Sequence, residues 1–217
     1  CYKKLNMSKN DLSVQKHKVI AKSRLKIQEL NFNFKKKIKE TIGLKPFLVA
    51  VSGGPDSLAL TALSKEYEKE NNVKTYYVLI DHRLRKESKL EAKLVKKLLK
   101  KKKISLSILV NKEKIDKNIQ SNARDARYKL LLDYCISKKI KFILTGHHRD
   151  DQIETFLIRL SRGSGIQGLS SMNKVTKLKN NIKLFRPLLN EKKIDLVILA
   201  KFFFGRVFKD PSNQNHK

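Results

Sequence analysis

Four short runs rich in β-branched and aromatic residues alternate along the chain with longer stretches whose apolar residues recur at helical spacing. The runs are Phe47–Val51, Thr75–Ile80, Ile104–Val110 and Lys141–Thr145, and the helical stretches are Ser88–Lys101, Ser121–Ile136 and Asp151–Leu160. Such alternation is typical of right-handed β–α–β units. The sequence therefore predicts an α/β fold, a doubly wound parallel sheet with helices on both faces.

The alternating region lies between two flanking segments. Residues 1–46 are predicted to form a basic helical lead-in, residues 47–189 the α/β domain, and residues 190–217 one more helix followed by a turn at residues 210–213, DPSN. A chain of 217 residues is long enough for one well-buried domain. Within the α/β domain, the helical stretch Asp151–Leu160 has one apolar face, which carries Ile153, Phe156, Leu157 and Leu160.

The charge is strongly positive, with 50 Lys and Arg against 20 Asp and Glu and a net charge of +30. This suits a polyanion such as nucleic acid, but a genome poor in G and C would produce the same excess of lysine, so both interpretations stay open. No apolar run approaches the roughly 20 residues of a membrane-spanning helix, so we expect a soluble protein with no membrane contact. Cys1 and Cys135 lie far apart, which gives no support to a disulfide framework and favours the cytoplasm.

The segment Ser52-Gly53-Gly54-Pro55-Asp56-Ser57 lies directly after the first predicted strand and directly before a helix. Glycines allow a tight turn in which several backbone N–H groups converge, and the helix adds its positive end, so the segment is a candidate anion cradle. A tight turn without a ligand is the alternative. The segment matches neither GxxxxGK(S/T) nor GxGxxG.

Two further polar clusters follow predicted strands, at the sheet edge where α/β proteins place their sites. Residues 81–85, DHRLR, follow the second strand, and residues 146–151, GHHRDD, follow the fourth. The histidines and aspartates of the second cluster indicate a metal site, although a zinc site would need further ligands. Asp150 or Asp151 alternatively caps the next helix, and one aspartate could cap while the other binds Mg²⁺.

Three arginines are candidate phosphate contacts. Arg124 and Arg127 lie about one helical turn apart, and their planar guanidinium groups match phosphate oxygens. An exposed charged face paired with carboxylates such as Asp125 is the alternative. Arg162 precedes a glycine-rich segment, residues 163–169, whose functional interpretation is a mobile loop that contacts the substrate with Arg162 aimed at a phosphate.

Together these motifs are more specific than any one of them. The loop resembles the PP-loop signature SGGxDS of the N-type ATP pyrophosphatases, and residues 47–213 resemble the catalytic domain of the tRNA(Ile)-lysidine synthase family. The matching stretches are SGGPDS, DHRLRKES, NARDARYKLL, GHHRDDQIET, RLSRGSGIQGLSSM, FRPLL and DPSN. Arg83 stands where the family usually has glycine. Members of the family continue beyond the equivalent of Lys217, so we expect the chain to stop before their tRNA-binding region.

The resemblance implies a reaction in two steps. ATP adenylates the C2 oxygen of the wobble cytidine in the CAU anticodon of an isoleucine tRNA, and the PP-loop holds the leaving pyrophosphate. The ε-amine of free lysine then displaces AMP and gives lysidine. The implied cofactors are ATP and Mg²⁺, the implied partners are that tRNA and free lysine, and a homodimer stays an open possibility.

Roles for single residues follow from the resemblance and from the needs of each step. The ATP-binding set is Ser52, Gly53, Gly54, Pro55, Asp56, Ser57 and Arg162. Asp56 and Asp151 are the expected Mg²⁺ ligands, and Arg124 and Arg127 the expected donors to the charge that develops on the α-phosphate. His147 is the candidate for the general base toward the lysine amine or for orienting the adenylate, because an imidazole titrates near neutral pH.

Two other functions stay open. A tRNA-thiolating enzyme of the same superfamily would use cysteine pairs or a cluster, whereas only Cys135 lies in the domain, on a helix whose apolar neighbours indicate a buried thiol. A truncated basic RNA-binding fragment without activity would be expected to have lost the glycines and carboxylates. Gly53, Gly54, Asp56 and both aspartates of the GHHRDD cluster are all present.

Overall fold

A computed structural model describes residues 9–112, 118–163 and 172–205, and of residues 9–19 it describes the backbone only. Most of the glycine-rich segment, residues 164–169, and the predicted DPSN turn lie outside the described residues. The elements are α1 Lys9–Thr41, β1 Phe47–Val51, α2 Pro55–Asn71, β2 Thr75–Asp81, α3 Ser88–Lys100, β3 Leu106–Val110, α4 Ile119–Ser137, β4 Phe142–Leu144, α5 Arg149–Ser161, β5 Val175–Lys177, β6 Lys183–Phe185 and α6 Lys193–Phe204.

The strands form one sheet in the order β3-β2-β1-β4-β6-β5. The predicted parallel α/β sheet is confirmed for the first five strands of this order. The edge strand β5, which the sequence did not predict, pairs antiparallel with β6. Only residues 178–182 connect these two strands, which is too short for a parallel crossover, and the connection turns at Asn180 and Asn181, both with φ of 57°.

Helices cover both faces of the sheet. Along β1 the side chains alternate between the two sides, so that Phe47 and Val49 join one buried cluster and Leu48 the other. The larger cluster includes residues of α1, α2, α3 and α6, and the smaller one is covered by α4. Because α1 contributes Leu30 and Phe34 and α6 contributes Leu196 to the larger cluster, packing is continuous across residues 46 and 190.

The helix α5 differs from the others because none of its side chains is buried among the described residues. Its apolar face is exposed, with fractional exposures of 52% for Ile153, 40% for Phe156, 55% for Leu157 and 51% for Leu160. The apolar spacing therefore identifies the helix correctly but not what its apolar face contacts. Within the described part of the chain, no helix combines the length and the apolar character needed to cross a membrane.

Candidate active site

A cavity of about 670 Å³ lies at the carboxyl edge of the sheet. Its walls come from the loop after β1, the end of β2, the N-terminal parts of α3 and α4, and the segment between β4 and α5. These are the connections that follow parallel strands, and their arrangement at one edge brings the three polar sequence clusters together. The sequence-predicted residues that line the cavity are Ser52, Gly54, Asp56, Ser57, Arg124, Arg127, His147 and Asp151.

The loop after β1 folds around the hydroxyl group of Ser57. The backbone N–H groups of Ser52 and Gly53 point to Ser57 Oγ at 3.2 and 3.1 Å, and Ser52 Oγ lies 3.1 Å from it. Ser57 Oγ in turn donates to the carbonyl oxygen of Gly54 at 3.0 Å. Ser57 thus engages the N–H groups of the loop, and the positive end of α2, which begins at Pro55, is the feature that attracts phosphate oxygens.

Two glycines are required by the close packing around this loop. Gly53 has a φ of 94°, and a Cβ atom there would lie 2.7 Å from Cγ2 of Val95 on α3. Gly146, which follows β4, would bring a Cβ to 3.0 Å from the backbone of Asp56. Since backbone atoms cannot yield as a flexible side chain can, Gly146 lets the segment after β4 approach the loop after β1.

His148 connects the two candidate magnesium ligands. Its ring is buried, with Nε2 3.5 Å from Asp56 Oδ2 and Nδ1 3.5 Å from Asp151 Oδ2. The same residue caps α5: the N–H of His148 donates to Asp151 Oδ2 at 2.7 Å, and the N–H of Asp151 donates to His148 Nδ1 at 3.4 Å. One imidazole therefore fixes carboxylates that come from two different strand-to-helix connections.

The carboxylates around His148 act on its pKa in the direction opposite to burial. Burial lowers the pKa of His148, but the hydrogen bond with Asp56 and the nearby charges of Asp151, Asp56 and Asp150 outweigh burial, so its pKa is raised. Each of the two cavity carboxylates contacts His148 through Oδ2. Asp56 Oδ1 is buried and has no hydrogen-bond partner among the described residues.

These carboxylates fit a magnesium ion bound together with a nucleotide. Mg²⁺ in such sites takes one or two carboxylates and completes its shell with phosphate oxygens and water. The described residues contain no group of three or more His, Cys, Asp or Glu that could hold a metal by themselves. Asp56 and Asp151 are thus suited to a metal that arrives with phosphates.

His147 lines the cavity but does not titrate where the sequence analysis placed it. Burial lowers its pKa to about 4, and the positive charge of Arg186 contributes in the same direction. His147 Nδ1 lies 2.9 Å from Thr145 Oγ1. The imidazole, partly buried beside cations, is therefore neutral at pH 7, in contrast to the expected titration near neutral pH.

Arg124 and Arg127 both line the cavity from α4. The Arg124 guanidinium carbon lies 5.6 Å from the centre of the Tyr128 ring, and Arg127 Nε lies 3.5 Å from His82 Nε2. Burial lowers the pKa of His82, and the positive charge of Arg127 acts in the same direction. Both guanidinium groups are exposed toward the site, where they can meet a phosphate.

Arg162 is not among the residues that line this cavity. It is exposed and follows the end of α5, eleven residues after Asp151 and so about 16 Å further along the helix axis. The described residues therefore do not place Arg162 with the other predicted ATP contacts.

Sequence reasoning missed three residues near the site. His148 was not separated from His147, although a side chain three residues before Asp151 is in the position of a helix cap. His82 lines the cavity with its buried Nδ1 lacking a partner among the described residues. Arg186 is 7% exposed and donates to Asn173 O and Thr176 Oγ1, both at 2.8 Å. No sequence signal marked its proximity to His147.

Comparisons with known proteins agree with this geometry. Proteins named tRNA(Ile)-lysidine synthase are similar in sequence: one from Wolbachia pipientis is 44% identical over 172 residues, which cover 78% of this chain and 40% of that protein. One from Rickettsia conorii is 39% identical over 178 residues, covering 81% of this chain and 36% of that protein. The chain thus spans about 40% of the length of the curated relatives that it matches.

A solved structure shares the fold. The U34-tRNA thiolase NcsA from Methanococcus maripaludis with its 4Fe-4S cluster is similar with a TM-score of 0.67 and 22% identity, over 85% of this chain and 67% of that one. A family model described as a PP-loop domain matches residues 27–217, which include the cavity and every element from β1 to α6. The chain belongs to the PP-loop domain family.

Proposed function

We propose that this chain is the catalytic domain of a tRNA(Ile)-lysidine synthase, which uses ATP to attach free lysine to C2 of the wobble cytidine of a CAU-anticodon isoleucine tRNA. One observation carries the proposal: a phosphate-binding loop and two carboxylates joined by His148 line one cavity, in a chain whose curated relatives carry that name. The catalytic unit comprises residues 47–189, with α1 and α6 packed on it.

The first step requires ATP to be cleaved between the α- and β-phosphates. The N-terminus of α2, with Asp56 and Ser57 in the cavity wall, directs its positive end at the leaving pyrophosphate, and Arg124 and Arg127 face the charge that develops on the α-phosphate. Mg²⁺ held by Asp56 and Asp151 would neutralise phosphate charge. The tRNA cytidine attacks the α-phosphate through its C2 oxygen, and the bond between the α-phosphorus and the bridging oxygen breaks.

The second step requires the lysine amine to attack C2 while AMP leaves. The lysine ammonium must first lose a proton, and His147 with a pKa of about 4 holds a proton poorly at neutral pH. Since Nδ1 of His147 is engaged with Thr145, Nε2 is the ring nitrogen left to form a hydrogen bond with the substrate. We therefore assign His147 the role of orienting the amine or the adenylate rather than that of storing the proton.

Sulfur transfer is not favoured by the described residues. Burial raises the pKa of the Cys135 thiol to about 12, so the residue carries no thiolate at neutral pH. Cys135 packs in the apolar cluster beneath α4, and the other cysteine of the chain, Cys1, precedes the described residues. The similarity to the thiolase is a similarity of fold.

The test is transfer of labelled lysine to an unmodified CAU-anticodon isoleucine tRNA transcript, with ATP and Mg²⁺. We expect incorporation by the chain, a loss on the order of 100-fold in Asp56→Asn, and near-normal transfer by Asp133→Asn, an exposed aspartate on α4 outside the cavity. Absence of ATP-dependent incorporation at saturating tRNA, with nucleotide still bound, would overturn the proposal. So would equal activity of the two variants.

A further inference from the structure

The helix α1 extends beyond the part of the chain that the PP-loop family model matches. The match begins at residue 27, whereas α1 begins at Lys9 and continues without interruption to Thr41. Among the side chains of α1 that the structure describes, from residue 20 onward, the first buried one is that of Leu30. Before it, Ile20 is 45% exposed and Leu25 is 67% exposed. Residues 9–26, here called the α1 arm, are therefore a helical addition with no buried side chain among those the structure describes.

Contacts between α1 and α2 fix the direction in which the arm points. Asn31 Nδ2 donates to Glu66, and Lys35 Nζ lies 2.6 Å from Glu70 Oε1. A step of four residues along α1 therefore matches a step of four residues along α2. The two helices run in the same direction with a constant offset of 35 residues. This offset places Ile20 level with Pro55, the first residue of α2, directly after the phosphate-binding loop.

The arm continues past that level. Residues 9–19 are eleven helical residues, which extend about 16 Å further along the axis. Because α2 begins at the carboxyl edge of the sheet, this extension projects from the same edge at which the cavity lies. A macromolecular substrate that delivers one nucleotide into the cavity would meet the arm beside it.

The charge of the arm fits a nucleic acid. Residues 9–26 contain five lysines and one arginine against one aspartate, a net charge of +5 in 18 residues. Lys26 is engaged with Glu29 at 2.9 Å and with Asp195 at 3.7 Å, which fixes the base of the arm to α6. Lys22 and Arg24, further out along the arm than Lys26, are exposed.

We propose that the α1 arm binds the phosphate backbone of the RNA whose nucleotide enters the cavity. The proposal rests on the proposed function, since it takes the tRNA as that RNA. Lysines on a projecting helix bind phosphates by releasing counterions, a contribution that is independent of sequence and sensitive to salt. A membrane surface is a poorer match, because the exposed apolar residues Ile20 and Leu25 lie about 140° apart around the helix and form no apolar face.

The test compares two triple variants of equal charge change. Lys16→Gln/Lys18→Gln/Lys22→Gln neutralises the arm, whereas Lys96→Gln/Lys97→Gln/Lys100→Gln neutralises exposed lysines near the end of α3, at the edge of the sheet opposite the cavity. Binding of the CAU-anticodon transcript is measured at four salt concentrations, with ATP affinity as the check that the site is intact. Lys22 and the three lysines of α3 are exposed.

We expect the arm variant to bind the transcript about tenfold more weakly, with the slope of log affinity against log salt reduced by about 2, and to bind ATP normally. The α3 variant should lose less than twofold. Equal losses in the two variants, or unchanged RNA binding by the arm variant, would overturn the proposal. It would also be overturned if the arm variant kept RNA binding but lost binding to phosphatidylserine vesicles.

The outcomes separate this proposal from the proposed function. If the unmodified chain transfers lysine while the arm variant binds RNA normally, the arm proposal fails and the function stands. If the chain transfers no lysine but loses RNA affinity only in the arm variant, the function fails and the arm proposal stands.

Discussion

Asp150 and Asp151 are adjacent and identical in charge, but their surroundings differ. Asp151 lines the cavity and accepts the N–H of His148 at 2.7 Å, whereas Asp150 is exposed and does not line the cavity. We expect Asp151→Asn to lower pyrophosphate release on the order of 100-fold, since it removes one preorganised charge from the site. Asp150→Asn should stay within about twofold of the unmodified chain.

A second measurement distinguishes loss of the metal ligand from loss of the helix cap. Asparagine keeps an oxygen that can accept the His148 N–H, so Asp151→Asn should retain the unfolding free energy within about 1 kcal/mol. Titration with Mn²⁺ in the presence of a non-hydrolysable ATP analogue should show weakened metal binding. Equal effects of the two substitutions on metal binding would contradict the assignment.

His147 makes stability depend on pH in a predictable direction. Its pKa is about 4 in the folded protein and near 6.5 in an unfolded chain, so between these values the unfolded chain binds more protons. Unfolding therefore takes up a proton in this range. The contribution of His147 to the free energy of unfolding is lost as the pH falls from 6.5 toward 4.

The matching experiment is urea unfolding at several pH values for the chain and for His147→Gln. We expect the fall in unfolding free energy below pH 6.5 to be smaller in the variant, because glutamine has no group that titrates there. An identical pH dependence in the two proteins would show that His147 is not a buried neutral imidazole.

At the scale of the element, the connection from β2 to α3 contains a residue in an unfavourable conformation. Arg83 has a φ of 52°, and its N–H donates to Asp81 Oδ1 at 2.9 Å. The left-handed conformation costs a non-glycine residue roughly 1–2 kcal/mol, whereas glycine increases the entropy of the unfolded chain by about 0.4–1 kcal/mol. Arg83→Gly should therefore stabilise the protein by about 0.5 kcal/mol.

Urea unfolding also checks this prediction, with Lys86→Gly as the matched control. Lys86 is exposed in the same connection and is not among the residues with positive φ, so glycine there should destabilise by about 0.5 kcal/mol. Destabilisation of similar size in both variants would mean that the backbone at Arg83 is not strained.

The sequence predicts elements best where they are long or bounded by clear turns. The predicted strand Phe47–Val51 agrees with β1 residue by residue, and the helix predicted at Ser88–Lys101 agrees with α3 to within one residue. The strands β5 and β6 escape prediction because each has three residues, too few to show an alternating pattern. The apolar face of α5 shows that spacing reveals a helix without revealing its contacts.

Some features of the candidate site can likewise be predicted from the sequence, and others cannot. Placement of polar clusters at strand ends follows from chain direction in a parallel sheet, so Asp56 and Asp151 could be selected from sequence. The different roles of His147 and His148 could not, because they arise from burial beside Arg186 in one case and from contact with two carboxylates in the other. Both causes depend on residues far apart in the chain.

At the scale of the whole molecule, the charge and the fold have separate origins. The buried clusters on the two sides of the sheet account for the fold, whereas most lysines of the described part of the chain are exposed on helices and connections. The α1 arm and the end of α3 are both lysine-rich, but only the arm projects from the edge that holds the cavity. Position relative to the cavity, rather than total charge, therefore distinguishes a binding surface from a solvated one.

The position at which ATP is cleaved tests the proposed function most directly. The chain is incubated with ATP labelled at the α- or the γ-phosphate, the CAU-anticodon transcript and Mg²⁺, without lysine. We expect release of the γ-label as pyrophosphate and transfer of the α-label to the tRNA, followed by release of AMP when lysine is added. Release of the γ-label as orthophosphate, with ADP as the other product and no label on the tRNA, would contradict it.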